Sequence, residues 1–366
     1  MPLESLNILV LARYGELGAS SRYRFYQFLP FLTKVNLSFR VSWLLSNGYL
    51  ESLYKGNSIN MFLSAALGYL QRFIVLISSR KVDLVWLEKE LLPWVPWFLE
   101  SVFLRLGPPY VVDFDDAIFH NYDQHRFFLA RKLYCNKIRK LMKGAAVVVA
   151  GNNYIADYAR EAGAKRVEII PTVLNPKKYG QVYQKRNGQF KIGWIGSPST
   201  SRHLGVAKPA LREIFQKHSS GGNGAVQFVA IGAQPRDLRD IQASIISWSE
   251  ETEADNLRSL GVGIMPLPDT EWERGKCGFK LIQYMACGLP VIASPVGVNR
   301  AIIEHGVNGY LAVNTKEWVE YFEVLKENPD LCRKMGTAGR KKVEEQYSLE
   351  VTAPKLVNLL REAMKV

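Results

Sequence analysis

Cysteine is scarce and scattered. Cys135, Cys277, Cys287 and Cys332 are the four in 366 residues, and their separations match neither a metal-ligand pair nor a disulfide framework, so free thiols in a reducing compartment are expected. No secretory leader is expected either. MPLESLNILVLA lacks a basic stretch ahead of its apolar run and carries Glu4, so residues 6–12 read as a first buried strand and the expected location is cytoplasmic. Long uncharged apolar spans are absent: the run at 61–79 is interrupted by Gln71 and Arg72, that at 91–112 by Glu100 and Arg105, and neither is expected to cross a membrane. Acidic residues fall short of basic ones, 34 against 47, and the net charge of +13 points to nucleic acid, an anionic membrane surface or phosphorylated substrates. With no zinc-finger spacing and no Gly-aromatic RNA signature, nucleic acid drops out. No internal repeat or low-complexity segment is present.

What is there suits two domains, since 366 residues exceed one ordinary core and 48 % hydrophobic residues suffice to pack both. The polar, Pro/Gly-punctuated stretch NPKKYGQVYQKRNG at 175–188 is the expected connection, giving domains at 1–175 and 176–345. Apolar runs at 41–45, 82–87, 110–112, 147–150 and 167–170, then at 190–195, 226–232, 245–249, 261–267 and 291–293, read as buried strands between helical stretches. The loop after the first strand, RYGELGASSRYR, carries Gly18, Arg22 and Arg24; a structural turn and a ligand loop fit it equally well. The strand at 190–195 runs into GSPSTSRHL, where Gly196, Ser197 and Arg202 suit a phosphate, an ordinary capped helix start being the alternative, and His203 reads as packing. Glu250 to Asp255 reads as acids in a helix's first turn.

Residues 260–311 organise the chain. An apolar run closed by Pro-Leu-Pro leads to a polar loop with Asp269, Glu271, Glu273 and Arg274, then to a helical pattern from Phe279 to Cys287, and Gly288-Leu289-Pro290 opens the next strand. That is one βαβ unit, with its loop where such sheets bind ligands. The helix is expected to begin near Gly275-Lys276-Cys277-Gly278, where its terminal N–H groups and two lysines one turn apart, Lys276 and Lys280, favour a phosphate or diphosphate.

FKLIQYMACGLPVIAS at 279–294, followed by Gly297 and by Gly306-Val307-Asn308-Gly309, resembles the nucleotide-sugar-binding core of family 4 glycosyltransferases. The resemblance implies a retaining hexosyltransferase of the α/β GT-B fold, two Rossmann-like domains facing each other across a cleft. It implies that the first domain takes the acceptor and the second the donor, and that 346–366 is a helix crossing back to the first. The implied donor set is Gly18, Gly196, Ser197, Arg202, Glu273, Lys276, Gly278, Phe279, Lys280 and Gln283, with no cofactor beyond the nucleotide sugar and no metal. The family carries two glutamates seven residues apart here, whereas this chain has Gly275 and Gln283, so Glu273 or Glu271 is the expected substitute at the first place. A degenerate binding protein and a nucleotide-sugar epimerase are the competing functions.

Asp113, Asp115 and Asp116 fall within four residues at a strand end, a crowding of like charge that needs a reason. Asp-x-Asp there matches the manganese signature of the other major transferase fold, GT-A; capping of the next helix is the bland reading. In the GT-B frame this strand end faces the acceptor, which assigns Asp115 and Asp116, with Arg202 and Lys280, to catalysis and Arg22, Arg24 and Asp113 to the acceptor. Finally, 125–144 has the pattern of one basic amphipathic helix without acids. With Trp94 and Trp97 upstream, Arg131, Lys132, Arg139 and Lys140 suggest an anionic membrane surface and a glycan or lipid-linked acceptor of surface-polysaccharide assembly, a solvated surface helix being the alternative.

Overall fold

The computed structural model describes residues 6–78, 82–180, 189–218 and 225–365. Its strands form two six-stranded sheets in which every pairing is parallel. Parallel strands need helical crossovers on both faces, so their side chains are buried on both sides and the sequence reads as unbroken apolar runs. VVVA at Val147–Ala150 is such a strand, every residue buried.

The first compact unit comprises the residues up to Thr172, together with Gly275–Cys277 and the segment from Thr352 on. Its strands are β1 (Leu6–Tyr14), β2 (Leu37–Leu45), β3 (Leu84–Glu88), β4 (Tyr110–Phe114), β5 (Val147–Ala150) and β6 (Val167–Ile169), in the order β2-β1-β3-β4-β5-β6. The chain therefore reverses its travel across the sheet between β1 and β3, and such a switch opens a crevice at the carboxyl ends of the strands. The second unit comprises Val173–Arg274 and Gly278–Val351. It holds β7 (Phe190–Ile195), β8 (Val226–Ile231), β9 (Ser244–Ile246), β10 (Val262–Met265), β11 (Val291–Ala293) and β12 (Gly309–Leu311), ordered β12-β11-β10-β7-β8-β9, with the switch between β7 and β10. Alternate residues feed two cores: Ile192, Trp194, Val262 and Ile264 pack on one face, Ile195, Met265, Val291 and Ala293 on the other. Where β7 and β10 pair through Gly193 and Gly263, a Cβ at Gly263 would strike the Tyr284 ring. That ring is pinned by Ile195 N–H donating to its oxygen at 2.9 Å and by its hydroxyl donating to the Ile264 carbonyl at 3.2 Å.

Several expectations need correction. The first helix begins at Ala19, so Arg22 and Arg24 are helical, and the helix stops where Phe25 turns to φ −126°, ψ −68°. The basic stretch 125–144 is not one helix but two, Phe128–Tyr134 and Lys137–Gly144, the backbone leaving helical geometry at Asn136 (φ −97°, ψ 3°), and Lys137 turns inward as a buried ion-pair partner. The polar loop before Lys276 contains a short helix, Glu271–Arg274, and the next helix, Phe279–Ala286, starts only after Gly278 at φ +66°, which leaves Lys276 off it. Part of the expected connection, 181–188, lies outside the described residues.

Candidate active site

In the first unit each carboxylate at the end of β4 has its own cation. Arg24 grips Asp113 in a fork, Nε to Oδ1 at 2.8 Å and Nη2 to Oδ2 at 3.0 Å, and also donates to the Ile170 carbonyl at 2.7 Å. Lys89 pairs with Asp115 at 2.8 Å and Lys276 with Asp116 at 3.1 Å. Their exposure rises from 2 % to 12 % to 29 %, so Asp116 is the one most open to a ligand. Burial lifts Asp113 to about 6 despite its arginine. Burial acts on Asp115 too, yet the Lys89 ammonium and the Ser20 hydroxyl outweigh it and hold the group at about 2. The crowding is thus relieved by three cations, and Asp113 and Asp115 are committed to Arg24 and Lys89. Among the described residues no three His, Cys, Asp or Glu side chains form a metal-ligand group.

Sequence reasoning passed over Glu88-Lys89-Glu90, which ends β3 at the switch. Glu88 accepts from Ser20 Oγ at 2.8 Å, Ser21 Oγ at 2.6 Å and the Arg13 N–H at 2.7 Å. Lys89 sits at φ +63°, a left-handed position that a side chain rarely adopts, and donates to Ser20 Oγ at 3.1 Å. Glu90 accepts from Tyr122 Oη at 2.6 Å and Lys137 Nζ at 2.9 Å, and Lys137 also pairs with Glu100 at 2.8 Å. The available signal was the one that flagged Asp113 to Asp116: consecutive charges directly after an apolar strand. Gly18 caps the Ala19–Arg24 helix, and a Cβ there would meet the Tyr14 side chain. Arg22 lies over the Tyr23 ring and reaches the Glu16 carbonyl at 3.4 Å.

Gly275 belongs to this unit too. A Cβ at 275 would run into the Cβ and backbone of Ala117, and Asn152 Nδ2 donates to the Gly275 carbonyl at 2.8 Å. No glutamate fits that place without displacing the Ala117 backbone. Cys277 donates its thiol to the Asp115 carbonyl at 2.7 Å, and burial pushes that thiol up to about 12.

In the second unit the loop after β7 faces the Phe279–Ala286 helix. Lys280 Nζ lies 4.5 Å from the centroid of the Trp194 ring and donates to Thr200 Oγ1 at 3.3 Å; a Cβ at Gly196 would overlap both Nζ and the indole. Gly196 is therefore what lets the ammonium sit against the backbone at the switch point. Ser197 Oγ lies 3.0 Å from Ser199 Oγ and 3.4 Å from Thr200 Oγ1. Arg202 follows on the 3₁₀ segment Pro198–Val206, exposed and without an ion-pair partner among the described residues. The Lys280 ammonium and the hydroxyls of Ser197, Ser199 and Thr200, with backbone N–H groups near Gly278, are groups of the kind that receive an anion.

Two pairings there were not foreseen. Glu273, buried, faces His203 Nε2 at 3.1 Å, so His203 is a carboxylate's partner rather than packing. Gln283, buried, donates to Glu253 Oε1 at 2.9 Å, and Glu253 also accepts from Tyr179 Oη at 2.7 Å and Trp248 Nε1 at 2.6 Å. The first-turn acid of the Glu253–Arg258 helix thus supplies a carboxylate beside the neutral Gln283. As for the expected membrane residues, Arg131 donates to the His125 carbonyl at 2.5 Å and Arg139 pairs with Glu161 at 3.6 Å, while Lys132 and Lys140 are exposed. Trp94, at φ +58° and 47 % exposed, is held edge-on by Tyr122, His125 and Tyr134; Trp97 is half-buried.

Residues 270–342, the stretch that carries Gly275, Lys280 and Gln283, match the family described as Glycosyl transferases group 1. Sucrose synthase 2 of Pisum sativum is 32 % identical over 88 residues, and N-acetyl-alpha-D-glucosaminyl L-malate synthase of Bacillus anthracis is 35 % identical over 80. These matches take in 22 % and 21 % of this chain, and 11 % and 21 % of those proteins. Among solved structures, HepE of Anabaena in complex with UDP and glucose superposes with a TM-score of 0.66 at 13 % identity, covering 98 % of this chain and 100 % of that one. Sucrose-phosphate synthase of Thermosynechococcus elongatus gives 0.72 at 14 %, covering 98 % and 99 %. The fold is GT-B. In this GT-B chain, then, the group 1 segment begins just after β10 and holds the Phe279–Ala286 helix with β11 and β12, on one side of the second sheet's switch point.

Proposed function

We propose that the chain is a glycosyltransferase that moves a hexose from a nucleotide-diphosphate sugar to a hydroxyl of a glycan or lipid-linked acceptor, with retention of anomeric configuration. The observation that carries this reading is the cradle of Gly196, Lys280 and the Phe279–Ala286 helix start, lying in and against the segment matched to group 1 transferases. Breaking the glycosidic bond develops negative charge on the leaving diphosphate. Lys280, Arg202 and the helix N–H groups meet that charge with preoriented donors. In this reading Gln283, hydrogen-bonded to Glu253, binds donor hydroxyls, and the Glu273–His203 pair holds the sugar end. UDP bound in HepE supports a nucleotide donor.

The second domain is then the donor side and the first the acceptor side, with Asp116 as the reachable carboxylate. The workplace is the cytoplasmic face of a membrane where surface polysaccharide is assembled. The competing reading is a protein that binds a nucleotide sugar without transferring it, favoured by Gly275 and Gln283 standing where the family has glutamates. A panel of radiolabelled nucleotide sugars, scored for nucleotide release with and without membrane extract, decides between them. Release from one donor supports transfer, binding without release supports the second reading, and neither binding nor release sinks both.

A further inference from the structure

The Ser58–Ser78 helix is built the wrong way round for a soluble surface. Its buried side is Gly68, Arg72, Val75 and Leu76, and most of its large apolar side chains are left open. Gly68 has no room for a Cβ because the Leu44 carbonyl occupies the place, and Arg72, 1 % exposed, donates to the Ser42 carbonyl at 3.1 Å and the Ala12 carbonyl at 2.5 Å. The charge that interrupts this run in the sequence is thereby folded inward. Outward point Phe62, Leu63, Leu67, Leu70, Ile74 and Ile77, each 54–72 % exposed. Single exposed apolar residues need no explanation, but a contiguous stripe along a helix of 21 residues does. The stripe continues onto the Trp97–Leu106 helix through the edge-on pair Phe73–Phe103, centroids 5.5 Å apart, to Phe98 and Leu106, 64 % and 66 % exposed. Beside them Trp97, Phe98 and Val102 line a groove of about 720 Å³ whose charged walls are Arg105, Lys140 and Lys143, with no acid among its lining residues. Among the described residues none of these three cations has an ion-pair partner.

We infer that this face of the first unit, the outer side of the Ser58–Ser78 and Trp97–Leu106 helices with the cationic groove beside them, docks on an anionic phospholipid bilayer, apolar side chains entering the headgroup boundary and the groove taking lipid phosphate. The inference takes its partner from the membrane reading above, keeps Trp97 and Lys140 from it, and moves the main contact to the Ser58–Ser78 helix, which that reading did not use. Charge complementarity selects the occupant. A second copy would bring a net charge of +13 and the same three cations against these, whereas anionic lipid supplies the missing sign. Lying flat is selected over spanning, because a helix leaving the sheet would carry Arg72 and two freed carbonyls into hydrocarbon.

Flotation of the full chain with vesicles of phosphatidylcholine, with or without phosphatidylglycerol, tests this. Binding is expected to need phosphatidylglycerol, to weaken with salt, and to fall about tenfold or more when Phe62, Leu67 and Ile74 are all replaced by Ser. Replacing Arg105, Lys140 and Lys143 by Gln should flatten the salt dependence. The Ser variant should keep the parent's far-UV circular dichroism and its affinity for uridine diphosphate, which separates lost docking from lost fold. If neither protein binds that nucleotide, the donor reading fails while the flotation result stands. No flotation, equal flotation of the Ser variant, retention through an alkaline carbonate wash, or a dimer in sedimentation that the Ser variant dissociates would each overturn the inference.

Discussion

At the residue scale the ion pairs separate roles that the sequence left merged. With Arg202 and Lys280 proposed to meet the diphosphate, replacing either by Ala should weaken nucleoside-diphosphate binding by roughly 1.5–3 kcal/mol, read by calorimetry; unchanged affinity in both would misplace the diphosphate. Asp115 and Asp116 differ in kind. Asp116, the more open, should lower turnover as Asp116→Asn with donor affinity intact. Asp115→Asn instead strands a buried ammonium and should cost roughly 3 kcal/mol of stability. Because the Asp115 pKa is depressed from 3.8 to about 2, that contribution is present above the unfolded value and lost as pH falls through the folded one. The gap in melting temperature between parent and Asp115→Asn should therefore be full above pH 3.8 and close toward pH 2. The network behind this was illegible beforehand because its partners are distant in sequence: Lys276 stands 160 residues from Asp116, and Ser21 stands 67 from Glu88. A run such as Glu88-Lys89-Glu90 gains meaning only when β1, β3 and β4 lie side by side.

At the scale of elements the buried strands were the most legible feature. Runs such as 147–150 and 190–195 coincide with β5 and β7, since a strand covered on both faces has no polar alternation to blur it. Short or half-covered elements were not: β12 has three residues, and β2, with its mixed burial at the sheet edge, starts at Leu37 rather than at 41. Helix continuity failed at 135–136, where neither Gly nor Pro marks the break. The βαβ unit at 260–293 was read correctly in type, though its loop hides a helical turn. Its two departures from the family become a packing statement. Gly275→Glu should lower the melting temperature rather than restore a family feature, because Ala117 fills the space. Gln283→Glu would set a second carboxylate against Glu253 where an amide now donates, costing about 1–3 kcal/mol at neutral pH. That deficit should shrink on acidification as one of the two takes up a proton, and a pH-independent deficit would mean that shape rather than charge is at fault.

For the whole molecule, two doubly wound units were readable from the alternation of apolar runs and turns, and the GT-B class from one long motif. Chemistry at this scale has a simple check. With the diphosphate held by Arg202, Lys280 and helix N–H groups, nucleotide release should persist in excess EDTA, and a loss restored by manganese would move the reaction to a metal-dependent mechanism.

The division of the chain carries a further consequence. The first unit owns residues up to Thr172, but also Gly275–Cys277, with the lysine that neutralises Asp116, and the segment from Thr352 on, whose Arg361 donates to the Val35 carbonyl at 2.8 Å. Synthesis runs from the amino end, and domains complete as their residues emerge. The second unit can close once Val351 is out, while the first still lacks its final helix. The part of this protein that leaves the ribosome first is therefore the part that is finished last, and Asp116 waits for its partner through the making of some 160 intervening residues.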